Sequence, residues 1–273
     1  MNLIDLVNSI RDKKSFLCVG LDPDLSRLPT HLLGCEDPIF EFNKSIIDVT
    51  ADLCVAYKPN LAFYEKLGPS GLISLEKTLR YISDDKFVIA DAKRSDIFNS
   101  AQMYADTFYD YFNCDAVTLS PYMGFDAVKP FLREGKWGIL LIATSNPSAS
   151  SIQNILTKSG NPLYLDVVQQ SHKWSNEEGL MFVVGATRTL EMAKIRATAP
   201  NHFFLVPGIG FQGGDLGKVC DAAFNSNCGL LINVSRSIIY AGEGKDFKDL
   251  AYKSCLKIQQ NMESILKDRK FIF

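Results

Sequence analysis

Phe87-Val88-Ile89-Ala90 is a short apolar run rich in β-branched residues, and Asp91-Ala92-Lys93-Arg94-Ser95-Asp96 follows it without a gap. Phe98–Tyr111 then places apolar residues three and four apart among polar ones, and Ala116-Val117-Thr118-Leu119 returns to an apolar run. Runs of that length read as buried strands and the 3–4 spacing reads as a helix. Residues 87–119 therefore form a strand, a charged turn, a helix and a second strand. The helical crossover returns the chain to the end it left, so the two strands lie parallel, and their lack of polar alternation marks them as covered on both faces.

Working outward, the same unit recurs. Eight apolar runs stand at Phe16–Leu21, Cys54–Tyr57, Phe87–Ala90, Ala116–Leu119, Trp137–Ala143, Leu180–Gly185, His202–Val206 and Gly229–Val234. Helical spacing occupies Pro38–Asp52, Ser74–Ser83, Phe98–Tyr111, Asp126–Glu134 and Leu190–Ala197, and Phe247–Lys267 is a long amphipathic helix after the last run. Eight strand–helix repeats predict one α/β domain over residues 1–273, a single (β/α)8 TIM barrel, with an additional N-terminal helix in MNLIDLVNSIRDKK. An open doubly wound sheet would usually carry G-x-G-x-x-G in its first strand–helix turn. Gly20-Leu21-Asp22-Pro23-Asp24-Leu25 carries no such pattern. The Ser-, Asn- and Pro-rich stretch 144–163 reads as an insert after the fifth strand.

Composition narrows the partners. The 273 residues include 29 basic and 31 acidic side chains, a formal charge of −2, and 47% are hydrophobic, which suffices for a large core. With no block of like charge, neither nucleic acid nor a membrane surface is expected as principal partner. The seven cysteines form no C-x-x-C pair and read as buried thiols in a reducing, cytoplasmic setting. The N-terminus lacks a signal-peptide pattern, and Ile139–Ala143, among the longest apolar runs, falls far short of the roughly 20 residues of a membrane span.

A barrel keeps its active site at the carboxyl ends of its strands, so polar residues closing apolar runs are the candidates. They are Asp22, Lys58-Pro59-Asn60, Asp91–Asp96, Ser120-Pro121, Thr144-Ser145-Asn146, Thr187-Arg188, the glycine-rich turn Pro207–Gly214 and Ser235-Arg236-Ser237. Asp91 and Lys93 are two apart, which on an extended backbone puts both side chains on one face. Lys58 ends the neighbouring strand and Asp96 lies three residues beyond Lys93. Alternating ammonium and carboxylate groups offset one another's desolvation and keep the lysines protonated and the aspartates ionised. Glycines after the seventh strand let backbone N–H groups approach a phosphate, and Arg236 can add bidentate contacts, so a phosphate monoester is the expected substrate. His31, His172 and His202 stand at no metal-ligand spacing, and Ser145 has no partnered histidine; neither a metal nor an acyl-transfer triad is expected.

DAKRSDI (Asp91–Ile97) is similar to a D-x-K-x-x-D-I signature. With FLCVGLDPD (16–24), AYKPNLAFYE (56–65), SPYMG (120–124), TSNPS (144–148), PGIGFQGGD (207–215) and NVSRSIIYAG (233–242), the chain resembles, almost end to end, the orotidine 5′-phosphate decarboxylase family. KPN and TSNP are closest to its bacterial-type subgroup with the longer loop after strand five. The resemblance implies cofactor-free decarboxylation of orotidine 5′-phosphate to uridine 5′-phosphate, the last step of de novo UMP synthesis. It implies that Lys93 protonates carbon 6, that Asp91 faces the departing carboxylate, and that Lys58 and Asp96 complete the charge network and contact ribose. Asp22 would bind ribose and Ser145 the pyrimidine, with Pro207 packed near it. Gln212, Arg236 and the backbone near Ser235 would hold the phosphate. It further implies a homodimer in which Asp96, Ile97 and Ser100 reach the partner's site. Departures from the family pattern are Ser95, Ser100, Phe211, Val234 and Ser237, the last where glycine is common.

Three other readings fit parts of the pattern. A magnesium-dependent sugar-phosphate lyase of the same barrel superfamily shares the D-x-K-x-x-D strand end. A Schiff-base aldolase would need Lys93 or Lys58 with a lowered pKa, which flanking aspartates oppose. A non-catalytic nucleotide-binding protein would have little use for a buried Lys-Asp-Lys-Asp set.

Overall fold

The computed structural model describes residues 1–209 and 213–273. Eight parallel strands close on themselves in chain order: β1 (Leu17–Leu21), β2 (Ala56–Pro59), β3 (Phe87–Arg94), β4 (Ala116–Leu119), β5 (Trp137–Ala143), β6 (Leu180–Val184), β7 (Phe203–Pro207) and β8 (Leu230–Val234). Closure is made by β1 on β8, with Leu17 opposite Ile232 and Val19 opposite Val234. The strands are buried along most of their length because their apolar side chains fill the barrel or meet the surrounding helices. The expected (β/α)8 barrel is thus the fold.

The additional helix, Leu3–Lys13, opens with a capping box between Asn2 and Asp5 and buries Leu6, Val7 and Ile10. It lies at the amino-terminal ends of β4 and β5, where the Trp137 indole donates to the Met1 carbonyl. The last helix, Phe247–Asp268, packs on Pro38–Thr50. No helix among the described residues is long and apolar enough to cross a membrane. Six cysteines are buried and Cys35 is exposed.

Three local expectations are corrected. The helix expected over Asp126–Glu134 is two short turns, Phe125–Val128 and Lys129–Phe131. Pro130 lacks an N–H and restricts Lys129, which breaks the periodic pattern. The helix from Phe98 is α-helical only to Asp106, and Thr107–Tyr111 is a π-helical turn. The third strand continues through the charged residues to Arg94, with an irregular register: Ala90 stands opposite Val117 and Arg94 opposite Leu119. Four steps of β3 therefore span two steps of β4, a bulge of the kind that re-aims side chains.

Candidate active site

The β3 bulge organises the carboxyl end of the barrel. Asp91 accepts from Lys58 Nζ through Oδ2 at 2.7 Å and from Lys93 Nζ through Oδ1 at 2.5 Å. Asp91 and Lys58 side chains are only 10% and 6% exposed, whereas Lys93 is 50% exposed. Lys93 has φ +48°, a left-handed backbone that a non-glycine residue holds only when its surroundings over-determine it. Asp91 and Lys93 do meet, but through the bulge, not through the alternation of an extended strand.

Thr118 holds this turn from below. Its Oγ1 accepts from the Lys93 backbone N–H at 2.9 Å and donates to Asp91 Oδ1 at 3.0 Å. The strand-end search missed Thr118 because it sits inside an apolar run; its hydroxyl among Ala116, Val117 and Leu119 was the available signal.

Electrostatics follow the geometry. Burial raises a carboxyl's pKa, but at Asp91 the ammoniums of Lys58 and Lys93 outweigh it and hold the carboxyl well below the usual carboxylate range. Burial likewise pulls Lys58 down, and Asp91 and then Asp22 outweigh it, so its pKa stands above that of a free lysine. Asp91 is thus ionised and Lys58 charged throughout the physiological range.

Two cavities meet at this trio. A polar one of about 270 Å3 is lined by Asp22, Lys58, Asn60, Asp91, Lys93, Pro207, Gly208, Ile209, Asn233, Ser235, Arg236 and Ser237. A more apolar one of about 230 Å3 is lined by Lys58, Asp91, Lys93, Thr118, Leu141, Thr144, Ser145, Asn146, Val183, Leu205 and Pro207. Pro207 stands at their boundary. A larger cavity, about 540 Å3, opens from Lys93 past Tyr122 and Ile152 to Tyr164.

The polar cavity holds unsatisfied groups: Asp22 Oδ1 and Ser235 Oγ are buried and have no hydrogen-bond partner among the described residues. Buried polar atoms are nearly always paired, so orphans beside a cavity mark where a ligand's polar groups fit. Close approach here depends on Gly20, whose Cβ would lie 2.6 Å from Ser235 Cβ and 3.3 Å from Asn233 Oδ1. Gly208, at φ +100°, turns the chain after β7, and a Cβ on Gly214 would lie 2.7 Å from the Gly208 carbonyl oxygen. Ser237 is not left-handed, so serine in place of glycine there brings no backbone strain. On the apolar side, the segment at Ser145 packs against Gly185, where a Cβ would come within 2.9 Å of Ser145 Cβ. Gln153, from the insert, pins Thr144 twice: its Oε1 accepts from the Thr144 N–H at 3.0 Å and its Nε2 donates to Thr144 Oγ1 at 2.8 Å.

Asp22, Lys58, Asp91, Lys93, Ser145, Pro207, Ser235 and Arg236 therefore converge on the two joined cavities. Asp96, Ile97 and Ser100 line neither. Asp96 Oδ1 accepts from the Ile97 N–H at 2.7 Å, and Ile97 is 63% exposed. Gln212 and Phe211 lie outside the described residues. Among the described residues, no group of three or more His, Cys, Asp and Glu side chains gathers in a metal-ligating arrangement.

Comparison with known proteins gives one consistent result. A family model described as "Orotidine 5′-phosphate decarboxylase / HUMPS family" matches residues 15–246. An orotidine 5′-phosphate decarboxylase of Phocaeicola vulgatus is 52% identical over 270 residues, covering 97% of this chain and 99% of its own. The structure of Leishmania donovani OMP decarboxylase matches with a TM-score of 0.81 at 34% identity, over 96% of this chain and 99% of that one. Leishmania donovani UMP synthase matches with a TM-score of 0.81 at 36% identity, over 95% of this chain but 57% of that longer one.

Proposed function

This chain belongs to the orotidine 5′-phosphate decarboxylase family, and on that premise we propose how its residues divide the conversion of orotidine 5′-phosphate into uridine 5′-phosphate and carbon dioxide. The observation that carries the proposal is the position of the Lys58–Asp91–Lys93 trio where a polar and an apolar cavity join.

The apolar cavity suits the pyrimidine, with Ser145 hydrogen-bonding its polar edge and Pro207 against it. The polar cavity suits the ribose phosphate: Asp22 takes a ribose hydroxyl on its orphan Oδ1, and Arg236, the backbone near Ser235 and Gln212 take the phosphate. Carbon 6 and its carboxylate then lie beside Asp91 and Lys93. The bond from carbon 6 to the carboxylate breaks, carbon dioxide leaves, and the electron pair stays on carbon 6. Lys93 donates its Nζ proton to that carbon and, being half exposed, recovers a proton from solvent. A fixed ammonium aimed at developing negative charge is the kind of preorganised stabilisation that dominates such barriers. Asp91, ionised and rigidly held, repels the substrate carboxylate but no longer the neutral carbon dioxide. Phosphate contacts remote from carbon 6 offset that repulsion with binding energy. No cofactor or metal has a role in this scheme.

Asp96, Ile97 and Ser100 act in the site of a second copy. Asp96 lines neither of the two cavities of its own chain, and its neighbours Ile97 and Phe98 are exposed apolar residues, as are Met103 and Tyr104 on the same helix; these support the reading. The protein works as a homodimer with shared sites.

The deciding experiment follows the ultraviolet absorbance of orotidine 5′-phosphate with purified protein in excess EDTA, beside Lys93→Ala. Loss of the substrate band with wild type alone is expected. Turnover that appears only on adding magnesium would replace this scheme with a metal-dependent one, and tight nucleotide binding without turnover would leave a binding protein.

A further inference from the structure

Asp22 is held from both sides by phenol groups that touch neither cavity. Tyr240 follows the four-residue turn Arg236–Ile239, which begins at the cavity arginine. Its hydroxyl donates to the Asp22 carbonyl oxygen at 3.0 Å and accepts from the Asp24 N–H at 2.6 Å. The ring lies against the Arg27 guanidinium, 3.9 Å from its centroid, and stacks on buried Phe42 at 5.8 Å and 20°. On the other side of Asp22, the Tyr64 hydroxyl donates to the Leu21 carbonyl oxygen at 3.1 Å and accepts from Asn43 Nδ2 at 2.9 Å. The backbone on both flanks of Asp22 is therefore fixed, while its buried Oδ1 is left unpaired beside the cavity that Arg236 also lines.

We propose that Tyr240 is a positioning residue that ties the Arg236 turn to the Asp22 segment, so that phosphate and ribose recognition share one rigid frame. The inference rests on the reading of Asp22 as a ribose contact. Tyr240 does not touch the Asp22 carboxylate; it acts by fixing the peptide that carries it. A phenol can do this because it donates and accepts at once, closing the Asp22–Asp24 turn with a single atom. Tyr240→Phe keeps the ring, its stacking and its volume and removes only that atom.

The test is calorimetric binding of uridine 5′-phosphate, alone and in competition with inorganic phosphate, for wild type, Tyr240→Phe, Asp22→Asn and the double variant. Tyr240→Phe is expected to weaken uridine 5′-phosphate about tenfold, as for orphaning two partly buried backbone groups, and to leave inorganic phosphate unchanged within about twofold. The double variant is expected to bind like Asp22→Asn, because residues acting through one contact are not additive. A purely structural role would lower thermal stability without this selectivity. The proposal is overturned if Tyr240→Phe binds uridine 5′-phosphate like wild type, if phosphate weakens equally, or if the full loss adds to that of Asp22→Asn. Wild type that does not bind uridine 5′-phosphate would overturn the functional reading itself, and this inference with it. Should Tyr240→Phe not fold, exposed Arg27→Ala removes only the cation from the ring face. It is expected to give the same selective loss at about two- to threefold, and equal binding of both ligands relative to wild type would refute the proposal.

Discussion

Thr118→Val isolates the part of the site that a strand pattern hides. Valine matches threonine in shape, so the substitution leaves the barrel packing in place and removes one hydroxyl from a residue that is 1% exposed. That hydroxyl accepts from the Lys93 N–H and donates to Asp91 Oδ1, at 2.9 and 3.0 Å. Without it the Lys93 amide loses its acceptor and Asp91 loses a donor while keeping both ammoniums. An unpaired buried N–H costs about 1–3 kcal/mol, and Lys93 already sits in a left-handed conformation that costs about 1–3 kcal/mol to maintain. A net loss of about 2 kcal/mol at the Lys93–Asp91 pair corresponds to a rate reduction of about thirtyfold. Because Thr118 does not line the cavity assigned to phosphate and ribose, the loss is expected in kcat, with KM changed by less than about threefold. The assay is the decay of substrate absorbance at saturating and limiting orotidine 5′-phosphate, beside a thermal melt; the same 2 kcal/mol lowers Tm by about 5 °C. Thr118→Ser, which restores the hydroxyl, should recover kcat to within about threefold. A folded Thr118→Val with wild-type kcat, or with its whole loss in KM, would refute the argument that Thr118 holds the reacting lysine in place.

Other parts of the structure give equally direct expectations. Lys93→Ala and Asp96→Asn, each inactive alone, should regain about a quarter of wild-type activity on random re-pairing, since each mixed dimer rebuilds one intact site; no recovery despite demonstrated exchange would sink the shared-site reading. Buried His202, packed between His172 and Phe182 with both ring nitrogens unpartnered among the described residues, has its pKa pushed down to about 4 by burial and then by His172, with Glu177 pulling it up and Arg196 adding a smaller push down. Its folded pKa lies below the unfolded value of about 6.5, so stability is intact above that pH and falls by about 3 kcal/mol as the pH drops to the folded pKa. His202→Phe should flatten that acid limb of the Tm profile, and an unchanged slope would show that other groups set it. Gly20→Ala should drive a methyl group into Ser235 and weaken uridine 5′-phosphate about tenfold, within the usual range for overpacking; unchanged affinity would remove Ser235 from the phosphate cradle.

The strands were legible because a parallel barrel buries both faces and leaves continuous apolar runs; where the reading slipped, ion pairing or chain chemistry had overridden hydrophobicity. The apolar run ends at Tyr57, yet β2 extends through Lys58 and Pro59, because Asp91 compensates the buried ammonium and permits a charged residue inside a strand. Pro130 shows the converse, an amphipathic period carried by only two short helical turns. The convergence of Asp22, Lys58, Asp91, Lys93 and Arg236 was legible from their places at strand ends. The means of bringing Asp91 and Lys93 together was not. Same-face alternation predicts neighbours that run side by side, whereas the bulge turns Lys93 back until its Nζ meets Asp91 Oδ1 at 2.5 Å. Such a turn breaks the local preference of a lysine for negative φ, and only tertiary groups can hold it: the Thr118 hydroxyl on its amide and the Asp91 carboxylate on its ammonium. A place where local rules fail while neighbouring groups enforce the exception is where a fold stores strain for function, and here that place is the lysine assigned to deliver the proton.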